Sequence, residues 1–335
     1  MLTAFTVFLA AELAARALEP FVPTTEGWPT AQIAAKVDQM TALAAGSNHV
    51  DVVFLGSSSM DQAVNPLVFN STSSGLTAYN ASLNGLTMRS LETWALEVVL
   101  PTLDPEVVVI GVTTRELNDG STERPGGLFD QLPTSRGLRE FGTEGGIRLI
   151  STAEDLSALL RIREGLRRPF SLALKLFGYD RGEVSSLPGP FGQRIPEERD
   201  FTYDFSDKWR EEWSAGDMRD FAMGGVEFEA LKRSVAAMRD QGRYVVLMPL
   251  PVSSDYASVQ PGGLTSLSAF RDLLSSVAGP PGVTIIEPTI QFQSQDFRDP
   301  AHLGPVAAEE FATLLAQELE ILHLALFADS VAANK

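Results

Sequence analysis

The chain has 335 residues, 44% of them hydrophobic, which suits one large α/β domain carrying insertions. A net charge of −17 and a pI near 4.6 exclude the basic surface that phosphate backbones require, so no nucleic-acid partner is expected. With no cysteine, disulfides, thiolate catalysis and cysteine-held metals are excluded, and only His49, His302 and His323 can supply an imidazole.

The first stretch, "MLTAFTVFLAAELAARAL", is apolar and helical but interrupted by Glu12 and Arg16. It falls short of the roughly 20 apolar residues a spanning helix needs, and it lacks the basic start and cleavage site of a signal peptide. Two readings stay open: the tail of a membrane anchor whose beginning is missing, or an amphipathic helix packed on the domain. "EPFVPTTEGWP" follows as a linker punctuated by three prolines, so residues 1–30 are expected to form an apolar helix and linker. Residues 31–335 are expected to form a single domain.

Within that domain, apolar runs alternate with helical patterns. "DVVFLGS" (Asp51–Ser57) reads as a central strand, and "LTAYNASL" (Leu76–Leu83) as a weaker one. Leu86–Leu103 reads as a helix ended by Pro101 and the turn "DP", and Glu106–Thr113 as a third strand. Then come a helix stopped by Gly242, the strand "RYVVLMPLP", the helix "FRDLLSSVAG", the strand "GVTIIEPT" and a long closing helix. This order predicts an α/β, flavodoxin-like three-layer sandwich, with a five-stranded parallel sheet covered by helices on both faces.

Residues 118–220 break the rhythm and are expected as an insertion over the C-terminal edge of the sheet, where α/β folds bind ligands. Arg161, Arg163, Arg167 and Arg168 cluster there. They form either a solvated helix face or a surface for anionic substrate or lipid headgroups.

Three places carry chemistry. "GSSS" (Gly56–Ser59) ends the first strand and starts a helix, which fits a helix-capping serine or a nucleophile beside orphan backbone N–H groups. It is neither a phosphate loop nor a GxSxG elbow. Asp299 and His302, three apart after the last strand, can present both side chains to one side in a turn or first helical coil. The carboxylate then holds one imidazole nitrogen and leaves the other for a serine. His49 precedes the first strand at the opposite end of the sheet, and His323 reads as core, which leaves His302 as the candidate base. Gly85, in "YNASLNGLT", marks either a plain turn or an amide that donates to an oxyanion.

These pieces, in this order, resemble the SGNH (GDSL-type) hydrolase superfamily over about Val50–Leu117 and Tyr244–Leu322. The first block is Gly56-Ser57-Ser58, with Ser57 in the slot of the family's usual Asp. Asn80–Thr87 resembles the second block, Asp299-Pro300-Ala301-His302 the fifth, and "HLGPVAAEEFATLLAQEL" the family's closing helix. The resemblance implies a catalytic set of Ser58, His302 and Asp299, and an oxyanion hole from the amides of Ser58 and Gly85. The third block departs: Gly111 matches, but Thr113 and Thr114 stand where Asn and Asp are usual. Either Thr113 donates in place of the asparagine, or Asn118 or Asn84 reaches in. The implied reaction passes a small acyl group through an acyl-serine to water or to a sugar hydroxyl, with no metal or cofactor. The expected partner is a small acyl ester or acylated carbohydrate. A cell-envelope or extracellular location is expected by analogy, with membrane association through the N-terminal helix; a cytoplasmic one stays open. Two competing readings are a non-catalytic binding or assembly protein on this scaffold, and a flavodoxin-like small-molecule binder.

Overall fold

The computed structural model describes residues 2–18, 28–46, 49–120, 157–161, 188–279 and 282–333. The chain divides into two compact units: Met1–Ala35 with Arg124–Leu187, and Lys36–Glu123 with Pro188–Lys335. The described part of the first unit comprises the helix Leu2–Leu18, the start of the helix Trp28–Ala45 and a helical turn at Ala158–Arg161. Arg161 ends that turn, while Arg163, Arg167 and Arg168 lie outside the described residues.

The second unit is built on five parallel strands: β1 (Val52–Leu55), β2 (Ala78–Asn80), β3 (Val107–Val112), β4 (Tyr244–Pro249) and β5 (Val283–Ile285). Their order, β2-β1-β3-β4-β5, is the doubly wound, flavodoxin-like one expected from the alternating pattern. The strands β1 and β3 are buried along their whole length, which is why they read as unbroken apolar runs. Val52 and Phe54 face a core shared with the helices Ser58–Ala63, Pro66–Thr72 and Pro305–Ala333, through Met60, Phe69, Phe311 and Leu315. The alternate residues Val53, Leu55, Val108 and Ile110 are equally buried on the other face. There the helix Val226–Asp240 packs on β4 and on Met88–Trp94, and Gly263–Val277 packs on β5.

One local detail differs from expectation. Pro101 does not end its helix: the chain passes from Met88–Trp94 through a π-helical stretch, Ala95–Val99, into Leu100–Leu103. The wider turn accommodates a residue that has no N–H to give. The helix stops at Asp104, whose φ of 51° is left-handed. The edge strand β2 is covered by a separate segment, since Asn80 N–H donates to the Phe191 carbonyl at 2.9 Å. At Gly192 (φ +77°) a Cβ would lie 2.1 Å from the Asn80 carbonyl oxygen, so only glycine permits this approach.

The register Leu55↔Ile110 and Ile110↔Leu247 brings the C-terminal ends of β1, β3 and β4 to one edge. "GSSS" and "GVTTRE" both emerge there.

Candidate active site

The turn after β1 is set by Gly56. A Cβ there would lie 2.5 Å from Met60 Cβ and 2.9 Å from the Gly111 carbonyl oxygen, so glycine leaves the space that the Met60 side chain fills. The three serines then diverge. Ser57, fully buried, caps the helix Ser58–Ala63: its Oγ accepts from Ser59 N–H at 3.3 Å and donates to Glu116 Oε1 at 2.6 Å. Ser59 is buried inside the first turn. Ser58 is the first helical residue and the only one of the three with appreciable exposure.

His302 Nε2 lies 2.8 Å from Ser58 Oγ, across 244 residues of sequence. On the other side of the ring, Nδ1 lies 2.8 and 2.9 Å from the two carboxylate oxygens of Asp299. A proton on Nδ1, donated to Asp299, leaves Nε2 as acceptor for the Ser58 hydroxyl. Asp299 and His302 sit neither on a helical coil nor in an open turn. They are cross-strand partners in a small antiparallel hairpin of β6 (Phe297–Asp299) and β7 (His302–Leu303), with Pro300–Ala301 as its loop. Opposed residues in such a pair project to one side, so the hairpin delivers the contact expected of a helical turn by a different route.

Burial alone would raise the Asp299 pKa. The neighbouring His302, the Ala301 N–H at 3.0 Å and the Arg298 guanidinium outweigh it and hold this carboxyl below the ordinary aspartate value. Arg298 Nε is 3.7 Å from Asp299 Oδ2, while its Nη1 reaches Asp200 Oδ1 at 2.9 Å and Gln62 Oε1 at 3.2 Å.

The remaining imidazoles stand apart. His49 is about half exposed, 3.7 Å from Asp51 at the far end of β1. His323 is not core: it is partly exposed, with Nε2 3.3 Å from Glu106 Oε2.

The second block follows β2. Ala81 N–H donates to the Phe54 carbonyl and Leu83 N–H to the Gly56 carbonyl, which lays this segment along the end of β1. A turn closes from Leu86 N–H to the Leu83 carbonyl at 3.4 Å. Gly85 holds its third position at φ +79°, a left-handed value glycine adopts without a steric cost. The amides of Ser58 and Gly85 donate to no acceptor among the described residues.

Thr113 is placed differently from the role expected of it. Its hydroxyl and its amide both donate to Glu116 Oε2, at 2.7 and 2.6 Å. The one hydroxyl proton that an oxyanion would need is therefore committed to a carboxylate. Asn118 is committed too: its Nδ2 donates to the Asp217 and Arg219 carbonyls, and its Oδ1 accepts from Gly120 and Ala222. Asn84 is buried at the corner beside Gly85.

Two buried charges around the site were not singled out from the sequence. Glu116, fully buried, gathers Ser57, Thr113 and Arg115, whose Nη1 is 3.5 Å away. Lys36, fully buried, binds Asp61 Oδ1 at 2.7 Å and the carbonyls of Asn80 and Ser82 at 2.9 and 2.6 Å. Burial lowers the lysine's pKa and Asp61 opposes the shift. Asn80 adds donations to the Met60 and Val64 carbonyls at the end of the Ser58 helix. Lys36 and Asn80 thus fasten the helix that bears Ser58 to the segment that bears Gly85. The signal in the sequence was only an acid placed just past an apolar strand and a lysine within a mostly apolar helix.

No protein-family model matches the chain, and a search of curated proteins finds no match either.

Proposed function

We propose that the protein is a serine hydrolase of the SGNH type, cleaving or transferring a small acyl ester through an acyl-serine intermediate. The observation that carries this reading is the chain of contacts Asp299–His302–Ser58, at 2.8 Å on each side of the imidazole, with Ser58 the one partly exposed member of its triplet. In the reaction, His302 takes the Ser58 proton as Oγ attacks the ester carbonyl, and Asp299 stabilises the imidazolium. The amides of Ser58 and Gly85, which donate to no acceptor among the described residues, are the donors proposed for the oxyanion, and His302 returns the proton to the departing alcohol. Water then releases the acid, or a sugar hydroxyl accepts the acyl group. The substrate class is an acylated carbohydrate or another polar carrier of the cell envelope.

A fluorophosphonate probe tests this directly: wild type is expected to label covalently at Ser58, and Ser58→Ala not to label. A folded wild type that stays unlabelled would end the catalytic reading. The commitment of Thr113 to Glu116 favours a second reading, a binding or assembly protein that keeps the scaffold without turnover. On that reading labelling is absent, yet Ser58→Ala and wild type bind an acylated carbohydrate alike.

A further inference from the structure

The β6–β7 hairpin is hydrogen-bonded to the Ser58 helix through two side-chain pairs, and the proposed reaction uses only one. The first is His302 Nε2 with Ser58 Oγ, at 2.8 Å. The second lies one helical turn further on, where Arg298 Nη1 donates to Gln62 Oε1 at 3.2 Å. Ser58 and Gln62 stand at i and i+4 in the helix Ser58–Ala63, so their side chains share a face. On β6, Phe297 pairs with Leu303 and Asp299 with His302, two steps against one, which makes Arg298 the extra residue of a β-bulge. A bulge re-aims its side chain out of the strict strand alternation, and here the guanidinium comes beside Asp299. The contacts close a ring: helix, His302, Asp299, Arg298 and back to the helix.

This arginine is anchored from behind. Its Nη1 also reaches Asp200 Oδ1 at 2.9 Å, and its Nε lies 3.7 Å from Asp299 Oδ2. Asp200 is buried and is itself fixed by Arg194 Nη2, at 2.8 and 3.1 Å, and by the Glu197 N–H at 2.9 Å. The Arg298 carbonyl accepts from the Asp204 N–H at 2.6 Å, so backbone and side chain are both tied to residues 197–204. A planar fork of donors, once ordered by a buried carboxylate, loses little further entropy in holding Gln62.

The two attachments fare differently in the proposed reaction. Acylation joins Ser58 Oγ to the acyl carbon and breaks the bond to the alcohol, which leaves with the proton relayed by His302. Oγ is then an ester oxygen with no hydrogen to donate. His302 loses its contact to the helix just as the second half-reaction needs the imidazole in place. The Arg298–Gln62 contact is untouched by that step.

We propose that Arg298 is a positioning residue for deacylation: through Gln62 it keeps the β6–β7 hairpin on the Ser58 helix while the serine is acylated. His302 then takes a proton from water or a sugar hydroxyl. That oxygen bonds the acyl carbon, the bond to Ser58 Oγ breaks, and the proton passes to Oγ. The inference rests on the serine-hydrolase reading and adds to it which half-reaction the arginine serves.

Rapid-quench mass spectrometry with p-nitrophenyl acetate separates the two half-reactions, since the rise of acetyl-enzyme reads acylation and its decay reads deacylation. Arg298→Met and Gln62→Met are each expected to slow the decay about tenfold while the rise stays within about threefold of wild type. In the steady state kcat and KM then fall together. The double variant is expected to match Arg298→Met, because both changes cut one contact. Gln62→Met leaves Arg298 paired with Asp200, so it carries the test even where Arg298→Met fails to fold. Equal slowing of rise and decay in Gln62→Met, or no change in either, would overturn the inference and leave the serine-hydrolase reading standing. So would a wild type that labels with the fluorophosphonate but resolves no acetyl-serine. A wild type that neither labels nor takes up acetyl would overturn both.

Discussion

Removing the Glu116 carboxylate strips the acceptor from three buried donors at once: the Ser57 hydroxyl, the Thr113 hydroxyl and the Thr113 amide. They do not suffer equally. A hydroxyl rotates and can find another acceptor, whereas an amide is fixed by its backbone. With about 1–3 kcal/mol for each donor left unsatisfied, and the two hydroxyls partly recovering, Glu116→Ala is expected to cost about 2–4 kcal/mol. Glu116→Gln keeps an oxygen for Thr113 and offers an NH2 that the Ser57 oxygen can accept, so only the charge assistance is lost, about 1 kcal/mol. Urea unfolding followed by circular dichroism reads both values. Fluorophosphonate labelling of the same variants reads the site: Glu116→Ala is expected to label more slowly than Glu116→Gln, because Ser57 loses the anchor that fixes the turn before Ser58. A Glu116→Ala variant within about 0.5 kcal/mol of wild type, a margin typical of neutral surface changes, would refute the reasoning.

Two further outcomes follow from the same contacts. Lys36→Met leaves Asp61 buried without its cation and should cost about 3–5 kcal/mol in urea unfolding, while Lys36→Met with Asp61→Leu should recover most of that; equal costs for the two would show that the pair is not coupled. Because the folded-state pKa of Asp299 is depressed, the unfolded chain takes up its proton first on acidification, at about 3.9. Its stabilising contribution is therefore complete above that pH and is lost as pH falls through the folded value. The urea midpoint of wild type should drop below about pH 4, and Asp299→Asn should flatten part of that drop; an unchanged slope would remove Asp299 from the account.

The fold was legible where burial is two-sided. β1, β3 and β4 are central in the sheet, so their sequences are continuous apolar runs rich in valine. β2 and β5 are three residues each at the edges, and the longer runs around them, Leu76–Leu83 and "GVTIIEPT", pass into loops once sheet neighbours end. The Gly56–Ser59 turn and His302 could be singled out because each sits where a strand end meets a turn; among the three serines, only the family resemblance pointed to Ser58. The hairpin that aligns His302 with Asp299 could not be, since an Asp-x-x-His spacing serves a helical coil equally well. Glu116 and Lys36 were hidden for another reason: an acid after "TTR" and a lysine in "AAKVDQ" look solvated until partners distant in sequence enclose them. Thr113 was placed correctly as a strand-end residue, but its hydrogen-bond partner is set by side-chain packing, which no local pattern encodes.

The contact between Ser58 and His302 also orders events in time. The helix that bears Ser58, β1 and β2 lie within the first third of the chain, whereas the imidazole arrives 244 residues later. At about 5–20 residues per second of synthesis, Ser58 spends roughly 12–50 s without its imidazole partner. During that interval the nascent chain holds an ordinary alcohol on an unfinished sheet. On the proposed serine-hydrolase reading, reactivity would switch on only when β7 docks, and a truncated or stalled product would carry the serine without its imidazole.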